Sequence, residues 1–449
     1  MFESVKNFVR RNRTNIVIGV GIAGGAYLYA RSKVTEAKDR MSGDRRAKEY
    51  LKRRFEQNQE DCSVTVLELL PQAVDAIMKD LPVERITAEL EKKKATKLAR
   101  SGSNSGSVKG DPSSAADSPS PSPAPRNDDD NQSLQRKSRT QLWNEIKIKS
   151  ITRAFTLIYT LALLTILTRV QLNLLGRKNY LSSVVSLSER EESPTINLVD
   201  TESASGKSYT QGVDAEVNRQ YLIFSWWFLH RGWRRVREKV EAAVKEVFGQ
   251  YTPRDSFTLQ QLHQLTLEVR RRIEIDDGPK WPTTYLLPKP HEERIVFYEF
   301  GYVSPATMPG LEYTASPALR QMLDETSDLL DSPVAGVVIR TMLDSGFGLL
   351  VEERIGSQVF RKQAPVATAG VGGHSVGREG GSTVPRIEGK LSNVLAVMKR
   401  EAAMIGGRAP NEYLQACFYC VERLRELEGF CALVYSNFEE DVMSRGMSS

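Results

Sequence analysis

Cys417 and Cys420 stand at C-x-x-C spacing, which is half of what a tetrahedral zinc site needs. No second pair accompanies them. Cys62 and Cys431 are remote in sequence, and His230, His263, His291 and His374 are scattered. The cysteines therefore read as small buried hydrophobes on helices. Four cysteines in 449 residues make no disulfide framework and fit a reducing compartment. Asp324, Glu325 and Asp328 form a carboxylate cluster, but at helical spacing before an apolar run they suit a helix N-terminus and solubility. The glycine-rich stretch at about 364–386 lacks the G-K-S/T ending of a phosphate-binding loop. No H-E-x-x-H, G-x-S-x-G or dinucleotide fingerprint is present. The chain reads as a non-enzyme, with no metal and no cofactor.

The more informative chemistry is recognition. Between Arg139 and Thr168, Ile148, Ile151, Phe155, Ile158 and Ala162 recur at helical spacing and define one apolar stripe. At 100° per residue, Trp143 lies about 100° from the middle of that stripe, and Leu142 and Ile146 about 160°. Three large apolar side chains thus leave the core face, among Lys137, Arg139 and Lys147. An apolar patch rimmed by charge is the form of a groove for an amphipathic helix, and Trp is favoured as its hot spot. Spacing equally allows another helix of the same fold to cover these residues.

These residues need a helical scaffold, and the chain supplies one. Helical periodicity runs over 63–94 (Val66, Leu69, Leu70, Ala73, Ile77, Ile86, Leu90), with Pro71 and Pro82 expected to break it into turns. Tyr221–Phe248 places Leu222, Trp226, Leu229, Trp233, Val236, Val240 and Val244 on one face. Leu259–Ile275, Pro317–Leu330, Ala335–Ile355, Ile387–Met404 and Asn411–Tyr435 follow the same logic, and only Arg294–Tyr302 reads as extended chain. About 95–138 is rich in Ser, Pro, Gly and Asp and almost without aliphatic residues, so it reads as a disordered insertion. Its Ser-Pro dipeptides at Ser118, Ser120 and Ser122 suit a linker. About 188–213 and 364–386 read as flexible loops.

Asn15–Ala30 carries no charge over sixteen residues. As a helix it spans about 24 Å, short against a hydrocarbon core of roughly 30 Å. Arg10, Arg11 and Arg13 before it, and Arg31 and Lys33 after it, can snorkel to the headgroups. Ile16, Val17 and Ile18 supply apolar surface, Tyr27 and Tyr29 stand at the expected interface, and Gly21 and Gly25 give a G-x-x-x-G spacing. A cleaved signal would lead into a more cysteine-rich chain, and glycines at 19, 21, 24 and 25 are costly in a soluble helix. Four basic residues lie in 1–15 and seven in 31–48, which places the bulk of the chain in the cytosol. The fifteen-residue run Ala154–Thr168 is a competing span, but its length suits a buried core helix. The 62 Lys+Arg against 56 Asp+Glu, with the basic excess early in the chain, favours a membrane surface over nucleic acid.

The predicted architecture is all-α: a basic segment 1–14, an anchor 15–30, a charged juxtamembrane helix 31–62, and a helical-bundle domain 63–449 carrying the insertions. Several segments together resemble the peroxin-3 family: the basic start with its glycine-rich anchor, CSVTVLELLP (62–71), LWNEIKIKSITRAF (142–155), RVQLNLLGRKNYL (169–181), DETSDLLDSP (324–333) and LDSGF (343–347). The resemblance covers nearly the whole chain in collinear order. It implies a single-pass protein of the peroxisomal membrane, its N-terminus toward the matrix, with transit through the endoplasmic reticulum as one route there. The implied partner is peroxin-19, the carrier of newly made peroxisomal membrane proteins, which docks an N-terminal amphipathic helix in an apolar groove. The matching positions are Trp143 and Ile146, with Leu90 from the preceding helix, Arg139 where the family has lysine, and Leu142 adjacent. The family also tethers adaptors for organelle inheritance and selective autophagy, for which no residue in this sequence marks a site.

Overall fold

The computed structural model describes residues 44–102, 137–192, 214–275, 278, 280–302, 315–360, 387–407, 411–418 and 424–437. The predicted anchor (Ile16, Val17, Ile18, Gly21, Gly25, Tyr27, Tyr29) and its basic flanks (Arg10, Arg11, Arg13, Arg31, Lys33) lie outside them. So do most of the Ser/Pro insertion and all of 364–386.

The described chain is all-α, as the periodicity predicts. Three helices set the frame: α1 (Asp44–Asp80), α2 (Val83–Gly102) and α3 (Arg139–Glu192). At 54 residues α3 is about 80 Å long, and it forms the axis on which the others pack. From Ser150 to Val170 every α3 residue is buried, including Thr152, Thr156, Thr160 and Thr165. A helix apolar all round needs cover on every side. Here α1, α4 (Trp233–Phe248), Pro317–Leu330, Pro333–Gly348, Leu391–Ile405 and Leu424–Ser436 provide it. The apolar run 154–168 is therefore core.

Four expectations are corrected. Pro71 does not break the helix: α1 passes through it. Proline removes one amide donor, yet Pro71 is half-buried and Leu67 exposed, so water can serve the freed carbonyl while Val66, Leu70, Ala73 and Ile77 hold the helix to the core. Pro82 does mark a turn between α1 and α2. Second, Arg294–Tyr302 is mostly helical, as Glu293–Glu299. The extended pieces are instead Ser256–Thr258 (β1) and Glu388–Lys390 (β2), an antiparallel pair with Phe257 opposite Gly389. Third, Asp324, Glu325 and Asp328 lie in the middle and last turn of Pro317–Leu330, whose start is capped by Ser316. Glu325 is bound 2.7 Å from the buried Arg177 guanidinium, so its role is a core ion pair. Fourth, Leu222 is exposed, for a reason given below.

Candidate functional site

Beside the main core sits a small separate one. Val83, Ile86 and Leu90 of α2 recur at spacings of three and four, and they meet Leu142 and Ile146, one turn apart on α3. The second helix therefore covers Leu142 and Ile146. Leu142 is fully buried, Ile146 6% exposed and Leu90 7% exposed, so these three form the floor and wall of a two-helix seam rather than an open patch. Trp143 packs against them and keeps an open edge. Arg139 is exposed one turn before it. The five predicted binding residues thus come together in one place, with Trp143 and Arg139 facing outward.

Lys147 is not part of the rim. It is 1% exposed, and its ammonium donates to the carbonyls of Phe248, Gly249 and Tyr251 at 2.8, 3.1 and 2.5 Å, closing the C-terminal end of α4. Carbonyls at a helix C-terminus have acceptor capacity left over and attract a cation, which explains why a lysine is tolerated there. Burial pushes its pKa down, and Asp255 opposes that.

Two ionic arrangements hold the seam, and spacing alone does not reveal either. Arg153, fully buried, makes paired bonds of 2.7 and 2.9 Å to the Glu84 carboxylate and also reaches the carbonyls of Leu81 and Lys399. It therefore joins the α1–α2 turn to α3 and to Leu391–Ile405. Glu145 accepts from Lys137 at 2.7 Å and pairs with Lys149 at 3.0 Å, steadying the first turns of α3. Partial burial raises the Glu84 and Glu145 carboxyls. Hydrogen bonds from Arg153, and from Lys137 and Lys149, outweigh it and leave both below the ordinary range.

The α2–α3 seam presents mixed chemistry to its surroundings. Its outward groups are an indole, a guanidinium and amides, and no cluster of metal-ligating side chains occurs among the described residues.

Comparison with known proteins agrees with the segments that carried the resemblance. The peroxin-3 family model matches residues 7–437. Peroxisomal biogenesis factor 3 of Yarrowia lipolytica is 32% identical, over 96% of this chain and 99% of its own. Peroxisomal membrane protein PEX3 of Komagataella phaffii is 36% identical over 61% of this chain and 60% of its own. Human peroxisomal biogenesis factor 3 is 23% identical over 98% of each chain. With an all-helical fold and a family match spanning nearly its whole length, this chain belongs to the peroxin-3 family of peroxisome biogenesis factors.

Proposed function

We propose that the chain is a docking receptor in the peroxisomal membrane, held by residues 15–30 with its bulk in the cytosol. It receives peroxin-19 carrying newly made membrane proteins. The observation that supports this is the seam of α2 and α3: Trp143 stands half-exposed over Leu90, Leu142 and Ile146, with Arg139 beside it. An amphipathic helix laid against the indole would bury apolar surface on a floor already assembled, so little ordering is required on this side. The reading is binding throughout, with no bond made or broken. Arg139 supplies charge at the rim, where it steers encounter and sets register more than affinity.

Titration calorimetry of the full chain in lipid nanodiscs with the N-terminal helix of peroxin-19 tests the assignment. Trp143→Ala should cost roughly 2–4 kcal/mol, about 30- to 1000-fold in affinity, with the domain still folded by circular dichroism. Unchanged affinity would remove Trp143 from the site. Cells lacking the protein should hold no recognisable peroxisomes. Peroxisomes that persist but are misplaced would favour a general tether for inheritance or autophagy adaptors.

A further inference from the structure

The displacement of Leu222 from the core has a local cause. Phe228–Gly232 forms a single π-helical turn just before α4. A π turn holds one residue more than an α turn, so Phe224–Trp227 immediately upstream is shifted by one position, about 100° around the axis, before a tighter step at Ile223. Downstream the core face is Trp233, Val236, Val240 and Val244. Upstream it becomes Tyr221, Phe224, Trp227 and Phe228, all within 2% of full burial. Leu222 and Trp226, which an unbroken 3.6-residue period would bury, are rotated outward. Gly232 permits close approach of another element to this turn: a Cβ there would sit 2.2 Å from the Tyr285 carbonyl oxygen.

The rotated side chains line an open pocket of about 630 Å³ with Leu69 of α1, Ile223, Leu229 and Phe300. Leu222 is 39% and Phe300 44% exposed. Trp226 is held ready: His230 stacks on it with centroids 4.5 Å apart, Phe300 meets it edge-on at 6.1 Å, and His230 Nδ1 lies 3.0 Å from the Trp226 carbonyl. The two ionisable side chains of the lining, Arg219 and His230, are both basic. None of the lining residues belongs to the seam around Trp143.

We propose that this pocket is a second docking site, which takes an amphipathic helix of a partner protein with large apolar residues on one face and acidic residues flanking them. Three features converge on it. A π turn recurs at functional positions, and unlike the second π segment, Leu349–Ile355, whose apolar residues are buried, this one turns Leu222 and an edge of Trp226 outward. A half-buried Trp with an open edge, beside exposed Phe and Leu, gives the aromatic anchor and apolar surround of an interface. The basic lining selects acidic flanks over basic ones.

The test is selection of phage-displayed helical peptides on the full chain in phosphatidylcholine nanodiscs, followed by affinity measurement on variants. Expected peptides carry two or three large apolar residues at i, i+3 or i+4 spacing with flanking Asp or Glu. Their affinity should fall at least tenfold with Leu222→Glu and with Arg219→Glu, and should be unaffected by Trp143→Ala. Leu222 is exposed, so Leu222→Glu should leave the unfolding midpoint unchanged. Peptides that bind Leu222→Glu as well as the parent chain, peptides without acidic bias, or no enrichment would each overturn the proposal. The Trp143→Ala arm keeps this outcome separate from that of the peroxin-19 reading.

Discussion

At the scale of single residues, Arg153 and Glu84 decide whether the seam exists. Five apolar side chains, each contributing about 2 kcal/mol when fully buried, are few for fixing a 20-residue helix. The buried guanidinium fixes its direction. Arg153→Met should destabilise the chain by roughly 2 kcal/mol, below the usual figure for a broken buried pair, because the half-exposed Glu84 carboxylate rehydrates. Urea unfolding measures this. The carboxyls also carry a pH dependence. Glu84 and Glu145 are lowered below their ordinary values, near 4.3 in unfolded chains. Their stabilisation is therefore complete above that pH and is lost as pH falls through the lower folded values. Amide exchange in Val83–Gly102, corrected for intrinsic rate, should stay slow from pH 7 to 5 and quicken below about pH 4. Protection of α2 that tracks central α3 down to pH 3 would count against the clamp.

At the scale of elements, the π turn at Phe228–Gly232 is the decisive feature, and a pair of glycines tests how the Tyr285 backbone packs against it. Gly232→Ala brings a methyl within 2.2 Å of the Tyr285 backbone and 2.9 Å of the Phe228 ring. Both belong to packed elements, so overpacking should cost about 1–3 kcal/mol. Gly336→Ala, within Pro333–Gly348, meets no atom within 4 Å and should gain up to about 1 kcal/mol from helix propensity. Chemical denaturation of the two variants should therefore move in opposite directions. Equal shifts would mean that Gly232 is ordinary helix. The helical blocks themselves were legible from apolar spacing, and Pro317–Leu330 matches its predicted bounds. Besides Arg294–Tyr302, what spacing misread was phase across Phe228–Gly232 and continuity through Pro71. In both places tertiary contacts override the local rule.

At the scale of the whole molecule, the chain closes on itself through the last described helix. Leu424–Ser436 packs on α3, its Tyr435 ring meets Phe55 of α1 edge-on at 5.5 Å, and the Val434 carbonyl accepts from Arg177 at 3.3 Å. Cys62 of α1 and Cys431 of this helix are free and buried, and burial raises their thiols to about 12 and about 11. Neither should react with iodoacetamide at pH 8 in the native chain. Ending the chain at residue 423 removes the cover over α1, so Cys62 should become alkylated at a rate approaching that in urea. Peptide-resolved mass spectrometry reads both. A Cys62 that stays protected in the shortened chain would show that α1 and α3 close without the last helix.

The sequence by itself determined the helical class, the buried nature of 154–168 and the candidacy of Trp143, because apolar periodicity reports which face must leave water. It also carried the family resemblance, since several separate segments occur together in order. Only the tertiary structure decided which of the off-stripe residues stay outward. Leu142 and Ile146 lie under α2 while Trp143 does not, and that choice depends on where a helix more than fifty residues earlier in the chain returns. The inward turn of Lys147 onto the end of α4, the ion pair of Glu325, and the outward rotation of Leu222 and Trp226 are of the same kind. Each is settled by a partner distant in sequence or by one inserted residue per turn, and a local periodicity contains neither.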